Sequence, residues 1–206
     1  MSHHNPNNRL ETFCDGIFAI AITLLILEIK IPDTENIHSG KELLQMLLSQ
    51  WPSGFAFLLT FLTLLIAWVN HHHMSASLNK TSSVFVYANG FLMLTVIIFP
   101  FTTGVLGRFI NTDYSNIPVM IYCSTIFLHS VAWLTVFSSA IAPKNLAKDE
   151  AAKNKITDTR RVIVFTCVFN LSNTVLAIWF PIISLCLVTG GWLYYIYAGI
   201  VYTSIE

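Results

Sequence analysis

The sequence predicts an all-α integral membrane protein with six transmembrane helices in each subunit and both termini on the cytoplasmic side. Three observations predict it. Of the 206 residues, 54% are hydrophobic and 11% charged, against roughly 25% charged in an average soluble domain. The apolar residues gather into six runs, each near the ~20 residues that a helix needs to cross a hydrocarbon core about 30 Å thick. Lysine and arginine are shared unevenly between alternate loops. Six spans with short connections use up residues 1–206 as a single transmembrane domain, so whatever the protein does happens in or beside the membrane.

The first run, Phe13 to Ile31, has acidic Glu11 and Asp15 at its start and no small-residue cleavage site after it. It therefore reads as a retained helix and not as a cleavable signal peptide. Between it and the second run lies Pro32 to Trp51, where the apolar residues of Lys41-Glu42-Leu43-Leu44-Gln45-Met46-Leu47-Leu48 repeat at helical spacing. That segment is too short and too charged to span and is expected to form a short interfacial helix. The second run is Pro52 to Val69, the third Val84 to Leu106 and the fourth Ile117 to Ala142. The fifth, Val162 to Phe180, and the sixth, Ile182 to about Tyr202, are separated by Pro181, which favours a tight hairpin over one long helix. Trp51, Trp68, Trp179 and Trp192 stand near span ends as interfacial anchors, and the deeper Trp133 reads as a packing residue. No internal repeat is visible, which argues against an inverted-repeat transporter.

Orientation follows from the basic residues. One side carries eight of them: Arg9, Lys80, and Lys144, Lys148, Lys153, Lys155, Arg160 and Arg161 in the fourth loop. The other side has three, Lys30, Lys41 and Arg108. The positive-inside rule then places both termini in the cytoplasm. The 11 basic residues balance the 11 acidic ones, which gives no support for a nucleic-acid partner. Cys14, Cys123, Cys167 and Cys186 are widely spaced and lack the paired spacing of a zinc site, so they read as small buried hydrophobes.

Among the polar residues, Asp15 stands out. A carboxylate at the start of a membrane helix can cap free backbone N–H groups and answer the helix dipole, or it can join Arg9 in a polar network at the cytoplasmic end. Both readings stand together. Gly16, Ile20, Thr23, Leu24 and Leu27 fall on one helical stripe, which from periodicity alone is a packing face. His71, His72 and His73 are adjacent, so on a helix they point about 100° apart and cannot share one metal. Asn170 and Asn173 share a face and are expected to bond across helices. Asn89 and His129 also require protein partners at membrane depth; His129 reads as a packing histidine or as a proton-relay residue.

Arg9-x-x-x-Phe13-x-Asp15-Gly16, followed by Ile20-Ala21-Ile22-Thr23-Leu24-Leu25, resembles the signature of the lysosomal and endosomal potassium channel family, the transmembrane protein 175 type, in its bacterial branch. The resemblance extends to six spans, the chain length and a second run ending in Trp68-Val69-Asn70-His71-His72-His73. Cys14 departs from it, standing where the motif has serine. The resemblance implies a homotetramer in a prokaryotic cell membrane, with four first helices around a central pore, permeant potassium and no cofactor. It implies that Ile20, Leu24 and Leu27 form the pore constriction, that Thr23 faces the pore as a selectivity candidate, and that a histidine, with His72 favoured, ties Asp15 or its neighbours to the second helix. The residues independently exclude one device: no Thr-Val-Gly-Tyr-Gly segment is present, hence no carbonyl-ring filter of that type.

The function expected is a potassium-permeable cation channel with a hydrophobic constriction. A proton-coupled secondary transporter using Asp15, Glu28 and His129 is the alternative. An enzyme is not expected, since no nucleophile and base stand out and no ligand spacing fits a catalytic metal.

Overall fold

The computed structural model describes residues 7–31 and 37–203, with side chains as far as residue 194. The chain is all-α, with seven α-helices among the described residues. Helix α1 (Asn8–Leu24) runs on into a 3₁₀ turn (Leu25–Glu28), and α2 (Gly40–Ser49) is short. The long helices are α3 (Trp51–Ala76), α4 (Ser83–Phe109), α5 (Asn116–Ile141), α6 (Glu150–Leu176) and α7 (Pro181–Thr203). Among the described residues, four segments are long and apolar enough to cross a membrane by length and composition: Asn8–Glu28, Trp51–Ala76, Ser83–Phe109 and Asn116–Ile141.

The helices outrun the apolar runs because a backbone hydrogen-bond ladder ends at a cap and not where hydropathy falls. The clearest case is α6, which starts at Glu150, well before Val162. Its Asp149 side chain accepts from the Ala152 N–H at 2.7 Å, an N-cap that lets charged turns precede the apolar ones. Ser82 caps α4 through the Phe85 N–H. In α2, Ser39 accepts from the Glu42 N–H while the Glu42 carboxylate reaches back to the His38 N–H at 2.7 Å, a variant of the reciprocal capping box. Pro181 opens α7, where its missing N–H is not needed. The expected loop from Pro32 begins in residues 32–36, outside the described residues, as do the side chains of the last span beyond residue 194.

Helix α4 is the hub, packing against α1, α3 and α5, while α6 lies on α5 and α7 closes over α5 and α6. Phe18, Leu64, Leu92, Val96, Phe99, Leu106 and Tyr122 are among the fully buried side chains of the bundle. Polar residues in this core are joined to one another. Thr103 donates to the Phe99 carbonyl at 2.7 Å, which leaves its oxygen to accept from Thr60, 2.7 Å away, and Thr60 in turn lies 3.1 Å from the Tyr122 hydroxyl. This chain stitches α3, α4 and α5 together without an unsatisfied hydroxyl, as an apolar medium demands. Asn170 donates to Ser130 at 2.6 Å, and Asn173 and Ser184 exchange bonds with each other's backbone carbonyls. These link α6 to α5 and α7.

At the end of the molecule where α3 finishes, residues 77–79 pair with 146–148. Leu78 and Ala147 form an isolated antiparallel bridge, the Asn79 N–H donates to the Leu146 carbonyl and the Lys148 N–H donates to that of Ser77. Lys148 Nζ adds a bond to the Ala76 carbonyl at 3.2 Å, one of the free acceptors at the end of α3. Buried Asn7, at the foot of α1, donates to the Lys80 carbonyl at 3.0 Å. We refer to this arrangement as the clasp.

Candidate functional site

Helix α1 is two-faced although its residues from Gly16 to Leu24 are apolar apart from Thr23. Cys14, Phe18, Ala21 and Leu25 are buried at spacings of four, three and four residues against α3 and α4. The opposite face carries Phe13, Gly16, Ile20, Thr23, Leu24 and Leu27, all exposed in the single subunit, Ile20 at 61%, Leu24 at 43% and Leu27 at 59%. Helical geometry alone separates the two sets. Arg9 stands at the foot of the exposed face, and forms no ion pair or hydrogen bond among the described residues.

Thr23 is the hydroxyl set among Ile20, Leu24 and Leu27. It donates to the carbonyls of Ala19 and Ile20, both at 2.9 Å, so its proton is turned back onto the helix. Its oxygen lone pairs remain available for an electropositive partner. Beside it, Ile17, Ile20, Ala21 and Leu24 of α1 and Ile97 and Pro100 of α4 line an apolar cleft of about 220 Å³. Pro100 lies inside α4 and has no N–H to donate there.

The acidic residues of α1 meet α3 in register. The Trp68 indole N–H donates to Asp15 Oδ1 at 2.9 Å, and His72 Nδ1 donates to Glu11 Oε1 at 3.0 Å. Four residues back along α1 match four forward along α3, as expected of neighbouring antiparallel helices. The histidine favoured for this network thus reaches Glu11, while the aspartate is held by the tryptophan that sequence reading placed among the interfacial anchors. Two acid positions four apart facing two N–H donors four apart was the available signal. It becomes legible once the two helices are set antiparallel.

His71 points the other way, into the core. Asn89 commits its amide nitrogen to the Phe85 carbonyl at 2.8 Å, so its oxygen faces His71 Nε2 at 2.9 Å and that nitrogen carries the proton. The His71 ring lies between Phe18 and Trp133, with centroids 5.9 and 6.4 Å away. Its Nδ1 has no hydrogen-bond partner among the described residues. His73 is exposed. No group of three or more potential metal ligands occurs among the described residues.

His129 is fixed on both sides. The Trp133 N–H donates to its Nε2 at 3.0 Å, and Nδ1 lies 2.8 Å from Thr95 Oγ1. Thr95 already donates to the Leu92 carbonyl at 2.6 Å, so the consistent arrangement is a neutral imidazole with its proton on Nδ1.

Residues 9–100 match the family described as endosomal/lysosomal potassium channel TMEM175. A potassium channel from Chamaesiphon minutus is 34% identical over 152 residues, which cover 74% of this chain and 74% of the relative. The human endosomal/lysosomal proton channel TMEM175 is 27% identical over 146 residues; they cover 67% of this chain and 29% of that longer protein. In three dimensions the chain is similar to the crystal structure of a lysosomal potassium-selective channel TMEM175 homolog from Chamaesiphon minutus, with a TM-score of 0.84 and 28% identity over 95% of this chain and 98% of that one.

Proposed function

The chain belongs to the TMEM175 family of channels, and from that premise we propose that it is a potassium-permeable channel of a prokaryotic cell membrane, assembled as a homotetramer with α1 lining the pore. The observation that carries this reading is the exposed face of α1. Ile20, Leu24 and Leu27 are left largely uncovered by their own subunit, with one hydroxyl, that of Thr23, set among them.

Six spans fit the same reading. Helix α6 contributes its apolar portion from Val162, and α7 completes the hairpin begun at Pro181. Exposed Leu43, Leu44, Leu47 and Leu48 of α2 would lie in the outer interface as an amphipathic helix. Around a four-fold axis, Ile20, Leu24 and Leu27 form stacked apolar rings that stop ions by dewetting until they widen or rotate. Thr23 oxygens give a partly dehydrated cation its ligands. Conduction then needs neither a carbonyl-ring filter nor a cofactor, and potassium is the permeant substrate.

The bacterial relative carries the name potassium channel and the human one proton channel. The engagement of both His129 nitrogens, and of Asp15 by Trp68, weighs against these groups forming a proton relay, and so against a proton-coupled transporter. The test is potassium flux into liposomes holding the purified protein. Ile20→Asn is expected to raise flux above wild type by wetting the constriction. A channel active in wild type and indifferent to Ile20→Asn would remove the gate from Ile20, and no flux in either would remove the channel reading.

A further inference from the structure

The outer end of the exposed α1 face is not α-helical. Leu25–Glu28 is a 3₁₀ turn, and in 3₁₀ geometry residues three apart eclipse one another, whereas on an α-helix they are offset by about 60°. Leu27 therefore stands directly beyond Leu24 in one column, and Glu28 directly beyond Leu25 in another. The two columns have different surroundings. Leu24 and Leu27 are exposed, while Leu25 is fully buried. Glu28 turns with Leu25 towards the bundle, and its side chain lies on α4 at Gly104: a methyl group there would collide with the Glu28 Oε2 and stand 2.9 Å from Cδ and 3.5 Å from Cγ.

Fit is what holds this carboxylate, which forms no hydrogen bond or ion pair among the described residues. Glycine leaves a notch in the surface of α4, and the Glu28 side chain fills it. The turn is thus tethered at both ends, by Leu25 in the core and by Glu28 in the notch, with exposed Ile26 and Leu27 between them. Beyond Glu28 the helix is over. The Ile29 N–H bonds to the Ile26 carbonyl at 3.2 Å and Ile29 itself is extended, so no further helical turn braces Leu27 from the outer side.

We propose that Glu28 is a positioning residue for the constriction: seated in the Gly104 notch of α4, it holds the 3₁₀ turn so that Leu27 stacks on Leu24. The proposal rests on reading α1 as the pore helix, and it makes the outer apolar ring depend on a residue outside the stripe that forms it. Unseating Glu28 frees the turn to rotate, breaks the column and admits water to the outer ring, which lowers the barrier that dewetting sets.

The test measures potassium flux into liposomes per folded channel. It also reads the line width of a nitroxide on Ile26→Cys in a Cys167→Ala/Cys186→Ala background, which reports motion of the turn and leaves Leu27 in place. Gly104→Ala, which drives Glu28 from its seat, and Glu28→Ala, which removes the side chain, are each expected to narrow the nitroxide lines. Each is also expected to raise flux about threefold, the population factor of an average side-chain interaction between membrane helices. Glu28→Gln has nearly the same shape and is expected to match the wild type in both measurements. Should Gly104→Ala not fold, Glu28→Ala carries the test. Unchanged line widths in the alanine variants overturn the proposal, as does unchanged flux with narrowed lines. Glu28→Gln behaving as Glu28→Ala also overturns it, by making the charge and not the seat responsible. Absence of flux in the wild type, with lines that narrow as stated, would count against the channel reading and leave the seat standing.

Discussion

Gly107 brings α4 against the backbone of Ser53 in α3: a methyl group at Gly107 would stand 2.8 Å from the Ser53 Cα and 3.1 Å from its Oγ. One turn earlier, a methyl group at Gly104 would collide with the Glu28 carboxylate instead. The two obstacles differ in kind. Ser53 is fixed backbone, whereas the end of the Glu28 side chain can swing aside.

Gly107→Ala is therefore expected to force the two helices apart and to destabilise the fold by about 1–3 kcal/mol, the range for overpacking. Gly104→Ala should cost under about 1 kcal/mol and displace Glu28. Thermal unfolding in detergent checks the order, and Glu28→Ala in the Gly104→Ala background should remove the remaining loss. Equal effects at both glycines would mean that Glu28 is held as firmly as backbone.

Trp68→Phe keeps an aromatic ring and removes the donor to Asp15. Hydrogen bonds to charged groups contribute ~1.5–3 kcal/mol, and the half-exposure of Asp15 brings the expected loss to about 1 kcal/mol. His72→Ala breaks only a pair exposed on the histidine side and should cost less, about 0.5 kcal/mol. Urea or thermal unfolding of the two variants side by side gives the ranking, and the reverse ranking would make Glu11 the anchor of α1.

Trp133→Phe strips the donor from His129 Nε2 and leaves a buried acceptor unmet. About 1–3 kcal/mol of stability should be lost, with potassium flux per folded channel unchanged. Flux that falls with stability intact would instead give His129 a part in conduction.

Thr23→Val preserves shape and removes the oxygen. Bi-ionic reversal potentials should show potassium preference over sodium reduced while conductance persists; an unaltered preference would move selectivity away from Thr23.

Asn170→Ala breaks the bond to Ser130 between α6 and α5. Side-chain bonds between membrane helices average ~0.6 kcal/mol and reach ~1.7 kcal/mol, so a loss of about 1 kcal/mol is expected by unfolding in mixed micelles. A double-mutant cycle with Ser130→Ala isolates the pair.

Much of this architecture was legible because apolar runs and a 3.6-residue period survive in any tertiary context. The stripe Gly16, Ile20, Thr23, Leu24, Leu27 is one face in the sequence and one exposed face in the structure. Asn170 and Asn173 bond across helices, as their cost in lipid requires. The start of α6 was hidden because charge marks the edge of hydrocarbon and not the edge of a helix; Asp149, three residues before Ala152, was the cue. The partners of Asp15 and His71 were hidden for another reason. Trp68 and Asn89 belong to other helices, and which donor meets which acceptor depends on helix register, which hydropathy does not encode.

The clasp also has a timetable. Asn7 rests on the Lys80 carbonyl, and the 77–79 stretch before it is braced by residues 146–148. During synthesis the first helix thus reaches the bilayer before its seat has been translated, and the brace comes only after α5 is made. Helix α1 is thus made well before the 142–149 connection that braces the stretch on which its foot rests, and its seat is complete only once that connection has been translated.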